Sequence, residues 1–219
     1  MAQVFCLEKK SWWLLHSGVF AVTLILIIVT LFVPWFSYDS GNDDDYCSLF
    51  GCYTEANDET TSWGDIVSDQ EDLEEAGLIP EDVVDIYKGI QAGTIVYLIF
   101  SIIAILAYIG GIVILVLDYL GKFSKTIWSV VAVSVAFVFY IVGYIVLMII
   151  AKIEFGDGDA SYFSKPDGTD IEQSTAGAEI GAILGLISVI LAGVAEILHS
   201  LVWYMSNKSA KTDQAAAQK

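Results

Sequence analysis

Long apolar runs separated by polar stretches set the pattern of this chain. Between Ser11 and Phe36 there is no Asp, Glu, Lys or Arg, and similar runs follow at 90–117, 126–151 and 176–204. A helix rises about 1.5 Å per residue, so each run can cross a hydrocarbon core of about 30 Å. Helices buried in soluble proteins keep one polar face, whereas these runs are apolar all round. The pattern therefore predicts an all-α integral membrane protein built as a bundle of four transmembrane helices.

The apolar runs divide the chain into spans and connecting segments. The first run is far longer than the roughly 7 to 15 apolar residues of a typical secretory signal, so we expect it to remain as a signal anchor. The predicted segments are an N-terminal segment 1–10, spans 11–36, 90–117, 126–151 and 176–204, loops 37–89, 118–125 and 152–175, and a tail 205–219.

The placement of lysine predicts the orientation of these spans. One side of a four-span arrangement carries Lys9, Lys10, Lys122, Lys125, Lys208, Lys211 and Lys219, and the other carries Lys88, Lys152 and Lys165. Positive charge marks the cytoplasmic side of a membrane protein. Both termini are therefore predicted to be cytoplasmic, in a plasma membrane or a membrane of the secretory pathway, and the loops 37–89 and 152–175 to be extracytoplasmic.

Acidic residues concentrate in the first of these loops. The formal net charge is −17, and sixteen acidic residues but a single lysine lie between Phe36 and Gly89. Such a surface repels nucleic acid and attracts cations or basic partner surfaces, although the same charges also keep an exposed loop soluble. The candidate cation-attracting residues are Asp43, Asp44, Asp45 and Glu179. No complete metal-ligand pattern is present, so we expect no metal centre and no cofactor, with loose Ca²⁺ binding by the three aspartates and other loop oxygens as the alternative.

The first loop also carries signals of local folding. Ser68 and Glu71 match a capping box, Gly77 can end the helix that follows, and Pro80 suits the first turn of a second helix that runs on into the second span. We therefore expect a folded loop of short helices, in which a small β-sheet is also compatible with the sequence.

Two of the three cysteines lie in the same loop. An extracytoplasmic compartment of this kind is oxidising, so we expect Cys47 and Cys52 to form a disulfide. A bridge that closes about six residues stabilises by about 2 kcal/mol in the chain-entropy treatment. Cys6 lies on the cytoplasmic side beside a span, where the alternatives are a free thiol and reversible palmitoylation.

The motifs at the end of the first span carry a resemblance to a known family. Pro34 and Trp35 stand where the span exits, and the loop continues to "YCSLFGC". With four spans, both termini inside and a long first outer loop, this resembles the claudin and peripheral-myelin-protein superfamily. The resemblance implies that Trp35 corresponds to the family's loop tryptophan, and Cys47 and Cys52 to its cysteine pair, bridged on a small sheet. Phe50 and Gly51 stand between the cysteines, whereas the family places a Gly-Leu-Trp element before them.

Small residues in the last span predict close helix packing. Gly177, Gly181 and Gly185 repeat every four residues, and Gly193 continues the same stripe. Association in lipid depends on close backbone approach, because burying apolar surface gives little driving force there. The stripe predicts packing within one chain, with dimerisation as the alternative.

The last span also contains two ionisable residues at a helical spacing. Glu196 and His199 lie three residues apart, near the predicted cytoplasmic boundary. Ionisable groups in a span often mark a proton or ion site, but a polar pair at the interface is the simpler interpretation. The chain has no phosphate-binding loop, nucleophile elbow or HExxH helix, so we expect no enzymatic activity and no catalytic residues.

Two functions fit these features. The first is a non-enzymatic interaction protein, either an adhesion or junction component or an accessory subunit, whose partners are membrane lipids and other membrane proteins or a second copy of itself. The second is a cation-conducting or cation-concentrating channel or transport subunit formed by oligomerisation. The first is favoured, because a pore needs polar positions along the length of a span and the scattered Thr23, Ser101, Ser134 and Ser188 are too few.

Overall fold

The chain is described by a computed structural model over residues 9–39, 44–54, 59–120, 122, 127–151, 153–154 and 176–217. Its helices are α1 (Lys9–Thr30), α2 (Trp63–Glu75), α3 (Glu81–Tyr119), α4 (Ile127–Ile150) and α5 (Ile180–Ala217). Its strands are β1 (Phe36–Asp39), β2 (Asp44–Cys47), β3 (Gly51–Thr54), β4 (Glu59–Ser62), β5 (Ile153–Glu154) and β6 (Ala176–Ala178).

Among the described residues, three helices are long and apolar enough to cross a membrane. The qualifying stretches in α3, α4 and α5 are Val83–Asp118, Ile127–Ile150 and Ile180–Tyr204. These helices are typical of an integral membrane protein, as the sequence predicts. In α1 the stretch that qualifies as apolar is the shorter Ser17–Thr30. The structure therefore bears out three of the four predicted spans by length and composition.

The structure confirms the small β-sheet that the prediction allowed in the first loop, although the sheet has six strands among the described residues and makes the all-α class too narrow. The strand order is β4-β3-β2-β1-β6-β5, and every neighbouring pair is antiparallel except β5 and β6. Strands β1 to β4 come from the first loop, whereas β5 and β6 border the second loop. Such short strands show too little apolar and polar alternation to stand out in a sequence. We call the six strands together with α2 the sheet module.

The ends of the predicted spans shift where the chain joins this sheet. The first helix ends at Thr30 and not at residue 36, because Pro34 cannot continue a helix and Phe36 already pairs with Cys47 and Ala178. The last helix begins at Ile180 and not at residue 176, because β6 occupies Ala176–Ala178. Gly177 therefore lies in a strand and has no place in the predicted helical packing stripe.

Helix α2 begins earlier than its predicted cap. Ser62 is the N-cap: its Oγ accepts a hydrogen bond from the Asp65 N–H at 3.2 Å and donates one to Asp65 Oδ2 at 2.7 Å. The predicted cap, Ser68, lies inside the helix, because the buried Trp63 and Val67 start the apolar face one turn before it. A serine followed three residues later by Asp serves here in place of the expected Ser-x-x-Glu pattern.

The end of α2 matches its prediction. Gly77 has φ +69°, a conformation that glycine adopts at little cost. Its N–H donates to the Glu74 carbonyl at 2.8 Å, and the Leu78 N–H donates to the Leu73 carbonyl at 2.9 Å. These two bonds complete a Schellman motif. Helix α3 then starts at Glu81, directly after Pro80, and runs without a break to Tyr119.

The chain forms two compact units. The first comprises Met1–Ile27, Ile102–Ile141 and Ile187–Lys219, and the second comprises Ile28–Ser101 and Val142–Leu186. Each of α1, α3, α4 and α5 contributes one segment to each unit, and the sheet module belongs wholly to the second. Large aromatic side chains occupy the interior of both units: Phe20, Tyr108 and Tyr140 in the first, and Trp35, Tyr97, Phe36 and Trp63 in the second.

Candidate functional site

The disulfide closes the tip of a hairpin in the sheet module. Cys47 and Cys52 are direct partners in the register of β2 and β3 and are bonded to each other, which confirms the predicted bridge. Between them the Ser48 N–H donates to the Gly51 carbonyl at 2.8 Å, and the Phe50 N–H donates to Ser48 Oγ at 3.2 Å. The tip is therefore held by a covalent bond and by its own hydrogen bonds.

Trp63 holds this tip through two hydrogen bonds. Its Nε1–H donates to the Ser48 carbonyl at 3.0 Å, and its backbone N–H donates to the Phe50 carbonyl at 3.3 Å. Gly51 pairs with Ser62, and a Cβ at Gly51 would run into the Thr61 carbonyl oxygen. Strands β3 and β4 therefore approach at a distance that only glycine permits. Trp63 thus joins the hairpin tip to the first turn of α2.

Trp35 lies in the interior of the second unit. Its side chain is fully buried, with its ring centroid 4.7 Å from Tyr97 and 6.0 Å from Tyr144. Its Nε1–H donates to the Thr30 carbonyl at 2.6 Å, which satisfies one of the carbonyls left open at the end of α1. The Trp35 N–H donates to the Cys47 carbonyl at 2.7 Å. Trp35 therefore links the end of α1 to the disulfide-bonded strand.

Two of the predicted packing glycines lie against this tryptophan. An ideal Cβ on Gly181 would lie 2.5 Å from the Pro34 carbonyl oxygen, and one on Gly185 would lie 2.8 Å from Tyr144 Cε2 and 2.9 Å from Trp35 Cη2. Both are closer than side chains tolerate. At Gly193 the nearest contact is looser, since its Cβ would lie 3.4 Å from the Phe137 ring.

One exposed face of α2 in the sheet module is acidic. Trp63 and Val67 are buried on one face of α2, whereas Asp65, Asp69 and Asp72 are exposed along another. Their spacing of four and then three residues places the three carboxylates on one helix face. This acidic face of α2 is fixed to the disulfide hairpin through Trp63.

The predicted cation-attracting residues are only partly described. Asp43 lies outside the described residues, and of Asp44 and Asp45 the structure describes the backbone in β2. Glu179 directly precedes α5; its N–H donates to the Trp35 carbonyl at 3.0 Å, and its own carbonyl accepts from the Ala182 N–H at 3.0 Å. Cys6, the candidate lipidation site, also lies outside the described residues.

The first unit contains a partly buried polar cluster around Glu196. Its Oε1 accepts hydrogen bonds from Ser134 Oγ on α4 at 2.5 Å and from Ser200 Oγ on α5 at 3.1 Å. Oε2 is buried and, among the described residues, has no hydrogen-bond partner, and the same holds for the Tyr108 hydroxyl. The sequence suggests a pair between Glu196 and His199, but Glu196 instead bonds to Ser200, four residues later on the same helix, and to Ser134 on α4. The contact with Ser134 is one that a spacing within a single helix does not reveal.

His199 pairs with a serine on another helix. Its Nε2 lies 2.9 Å from Ser129 Oγ, and its ring packs edge-on against Phe20 at 5.6 Å. A serine hydroxyl beside a histidine is also the arrangement that nucleophilic catalysis uses. Both side chains are buried, however, and Phe20 packs against the imidazole. In this arrangement the pair connects α4 to α5, as hydroxyl and imidazole groups do between membrane helices.

No model of a known protein family matches this sequence, and no curated protein matches it significantly.

Proposed function

We propose that this chain is a non-enzymatic four-span membrane protein that binds another protein through its sheet module. The observation that carries the proposal is the fixed relation between the disulfide hairpin and the acidic face of α2. A loop that served only solubility would not require a six-stranded sheet, a disulfide and a buried tryptophan behind the hairpin. A rigid surface loses little conformational entropy when it binds a partner.

The proposal includes α1 as the fourth span. Helix α1 has 22 residues. At about 1.5 Å per residue it is about 33 Å long, which matches a hydrocarbon core. Four spans place both termini on the lysine-rich side and the sheet module on the opposite side, in accordance with the positive-inside rule. In this arrangement the membrane is a plasma membrane or one of the secretory pathway, since the Cys47–Cys52 disulfide needs an oxidising compartment.

The resemblance to the claudin and peripheral-myelin-protein superfamily gains support from two features of the sheet module. The cysteine pair bridges adjacent strands of a small sheet, and Trp35 directly precedes the first strand of that sheet. An adhesion or junction component, or an accessory subunit of a larger membrane assembly, is the role that this architecture supports best. The fitting partner surface is basic, because opposite charges steer association and favour the correct orientation.

Cation conduction is the alternative function. A conducting path needs polar groups along its length. In the described interior of the first unit, the bulky rings of Phe20, Tyr108 and Tyr140 lie beside the polar groups around Glu196 and His199. In the second unit Trp35 and Tyr97 are fully buried, so large aromatic side chains occupy space that a continuous polar path would need. A pore made by several copies of the chain predicts a cation current in reconstituted membranes that Glu179→Gln abolishes, and such a result would replace the interaction role.

A charge-neutralised variant tests the interaction role directly. The full-length chain is purified in a mild detergent, and the bound proteins are compared between wild type and the double variant Asp69→Asn with Asp72→Asn. We expect the variant to lose a partner that wild type retains, and the wild-type interaction to weaken as salt rises, because charges on an exposed rim are screened.

The matched control removes the same charge from a different helix. Glu81 and Asp85 are exposed at the start of α3, so Glu81→Gln with Asp85→Asn changes the net charge equally. Partner retention by this control, and loss by the α2 variant, supports a specific acidic surface. Equal loss in both variants would indicate a non-specific charge effect and contradict the proposed surface.

A further inference from the structure

We propose that Phe50, at the tip of the disulfide hairpin, inserts into the lipid bilayer at its interface together with Phe32. Phe50 is 54% exposed and Phe32 is 71% exposed, and their rings stack with centroids 6.3 Å apart. Two stacked phenyl rings facing water are unfavourable, and an exposed apolar patch of this kind usually marks a surface that something covers. The proposed occupant is the boundary between lipid headgroups and acyl chains.

Backbone hydrogen bonds join the segment that follows Phe32 to the start of α5. The Gly181 N–H donates to the Pro34 carbonyl at 2.7 Å, and the Glu179 N–H donates to the Trp35 carbonyl at 3.0 Å. Pro34 and Trp35 therefore lie beside the first turn of α5, one of the three helices long and apolar enough to span a membrane. Phe32 precedes Pro34 by two residues, so we infer that it lies close to the level at which α5 begins, where a bilayer interface would be.

The exposed apolar face of α1 leads directly to this aromatic pair. In the second unit Ile28 and Val29 are exposed, and Phe32 follows at a helical spacing of four and three residues. Phe50 extends the same apolar surface beyond the end of the helix. The surface is thus continuous from the face of α1 that lipid would contact to the tip of the hairpin.

The charges on the hairpin fit this orientation. Between Cys47 and Cys52 there is no charged residue, whereas Asp44 and Asp45 lie at the opposite end of β2. Leu49 is buried, so Phe50 is the apolar side chain that the tip presents to its surroundings. An uncharged tip can approach anionic lipid without repulsion, and the acidic end lies farther along the strand.

The hairpin holds Phe50 in place for this contact. The disulfide, the Ser48–Gly51 hydrogen bond and the bond from the Trp63 N–H to the Phe50 carbonyl fix the backbone on both sides of the ring. In this interpretation the disulfide and Trp63 position a lipid contact that keeps the sheet module at the membrane surface. The inference rests on the proposed location of this module outside the membrane, but it requires no partner protein.

A photoreactive side chain identifies what covers Phe50. The full-length protein carrying p-benzoylphenylalanine in place of Phe50 is reconstituted into phosphatidylcholine nanodiscs and irradiated, and adducts are identified by mass spectrometry. The control carries the same group in place of Leu78, which is apolar and 70% exposed but lies in the turn after α2 beside acidic residues. We expect several-fold more lipid adduct at position 50 than at position 78, and equal yields would overturn the proposal.

Two further measurements complete the test. Irradiation in native membranes should again give lipid adducts at position 50, whereas a protein adduct there in their place would assign the surface to a partner and overturn the lipid contact.

If the bulky group prevents folding, as judged by loss of the Cys47–Cys52 disulfide, Phe50→Trp is used. The chain has six native tryptophans, so the signal is the fluorescence gained over wild type. That added fluorescence should be quenched by brominated lipid more strongly for Phe50→Trp than for Leu78→Trp, and equal quenching would again overturn the proposal. Because nanodiscs contain no partner, this result is independent of partner retention by α2.

Discussion

At the scale of single residues, the second unit depends on two glycines whose missing side chains make room for aromatic rings. Gly185 lies against Tyr144 and Trp35, and Gly181 lies against the Pro34 carbonyl. The repeat of glycines in the sequence predicts close packing, but it does not identify what packs there. The structure identifies the neighbours as a tryptophan and a tyrosine, which come from segments far away in the sequence.

Gly185→Leu should destabilise the protein strongly. Its Cβ alone would lie 2.8 Å from the Tyr144 ring, so the larger side chain must displace an aromatic group. Overpacking of this kind costs about 1–3 kcal/mol or more. The measurement is thermal unfolding in detergent, with Ile190→Leu as the control at an exposed position of the same helix. Equal melting temperatures for the two variants would contradict the close approach.

Trp35→Phe should also destabilise the chain, although the phenyl ring fits the same space. The substitution removes the Nε1–H that bonds to the Thr30 carbonyl at 2.6 Å. That buried carbonyl is left without this donor, which costs about 1–3 kcal/mol. Trp128 is exposed, so Trp128→Phe is a matched control with little expected effect. Unfolding of both variants in detergent separates the lost hydrogen bond from a general loss of indole.

The residues that could be predicted from the sequence are those whose chemistry is local. Cys47 and Cys52 lie a few residues apart in one loop, so their pairing requires only an oxidising compartment. The partners of Glu196 and His199 on α4 are distant along the chain. A helical spacing shows that two polar groups share a face but gives no information about the side chains opposite, so the serines could not be identified.

At the scale of elements, the apolar face that helix α2 buries determines which serine is its N-cap. Both Ser62 and Ser68 are followed three residues later by an acidic residue, and the sequence pattern alone favours Ser68 with Glu71. Burial of Trp63 and Val67 against the sheet requires the helix to begin at residue 63, which makes Ser62 the cap. Tertiary packing therefore outweighs the local pattern here.

Ser62→Ala should lower stability by about 1 kcal/mol, because the Asp65 N–H loses its capping acceptor. Ser68→Ala should be neutral or slightly stabilising, since Ser68 is exposed in the interior of the helix, where alanine is the better helix former. Hydrogen exchange in α2, measured for both variants in the full-length protein, reports local opening. A larger effect of the substitution at position 68 would indicate that Ser68, which the sequence pattern favours, is the N-cap.

The disulfide should stabilise the β2–β3 hairpin of the sheet module locally. Cys47→Ser removes a bridge that closes about six residues, which the chain-entropy treatment values at about 2 kcal/mol, so β2 and β3 should exchange faster while membrane insertion continues. Non-reducing mass spectrometry of wild type should find Cys47 linked to Cys52. Cys6→Ser serves as the control and should leave exchange in the sheet unchanged.

At the scale of the whole molecule, the number and direction of the spans connect the fold to the proposed function. Long apolar runs are the strongest signal in the sequence, and α3, α4 and α5 follow from it directly. The six-stranded sheet could not be predicted in this way, because β1 pairs with β6, which lies beyond α3 and α4 in the chain. Pairing between short strands this far apart in the chain leaves no local pattern in the sequence.

Engineered glycosylation tests the orientation with one substitution and an internal control. Glu59→Thr converts Asn57-Asp58-Glu59 into an acceptor sequence just before β4, while Asn207-Lys208-Ser209 is a natural acceptor sequence in α5, beyond the stretch that can span the membrane. If the sheet module is extracytoplasmic and the tail cytoplasmic, only Asn57 should acquire a glycan in a eukaryotic host. The glycan is detected as a mobility shift that a glycosidase reverses. A glycan on Asn207 would show that the protein has the opposite orientation.

A protease-protection experiment tests whether α1 is the fourth span. A tag at the N-terminus should be protected from protease in intact cells if α1 crosses the membrane, because an even number of spans puts both ends of the chain on one side. A second tag at the C-terminus provides the comparison, and we expect both tags to be protected until the membrane is permeabilised. An accessible N-terminal tag with a protected C-terminal tag would reduce the protein to three spans, since α3, α4 and α5 alone leave the two ends on opposite sides.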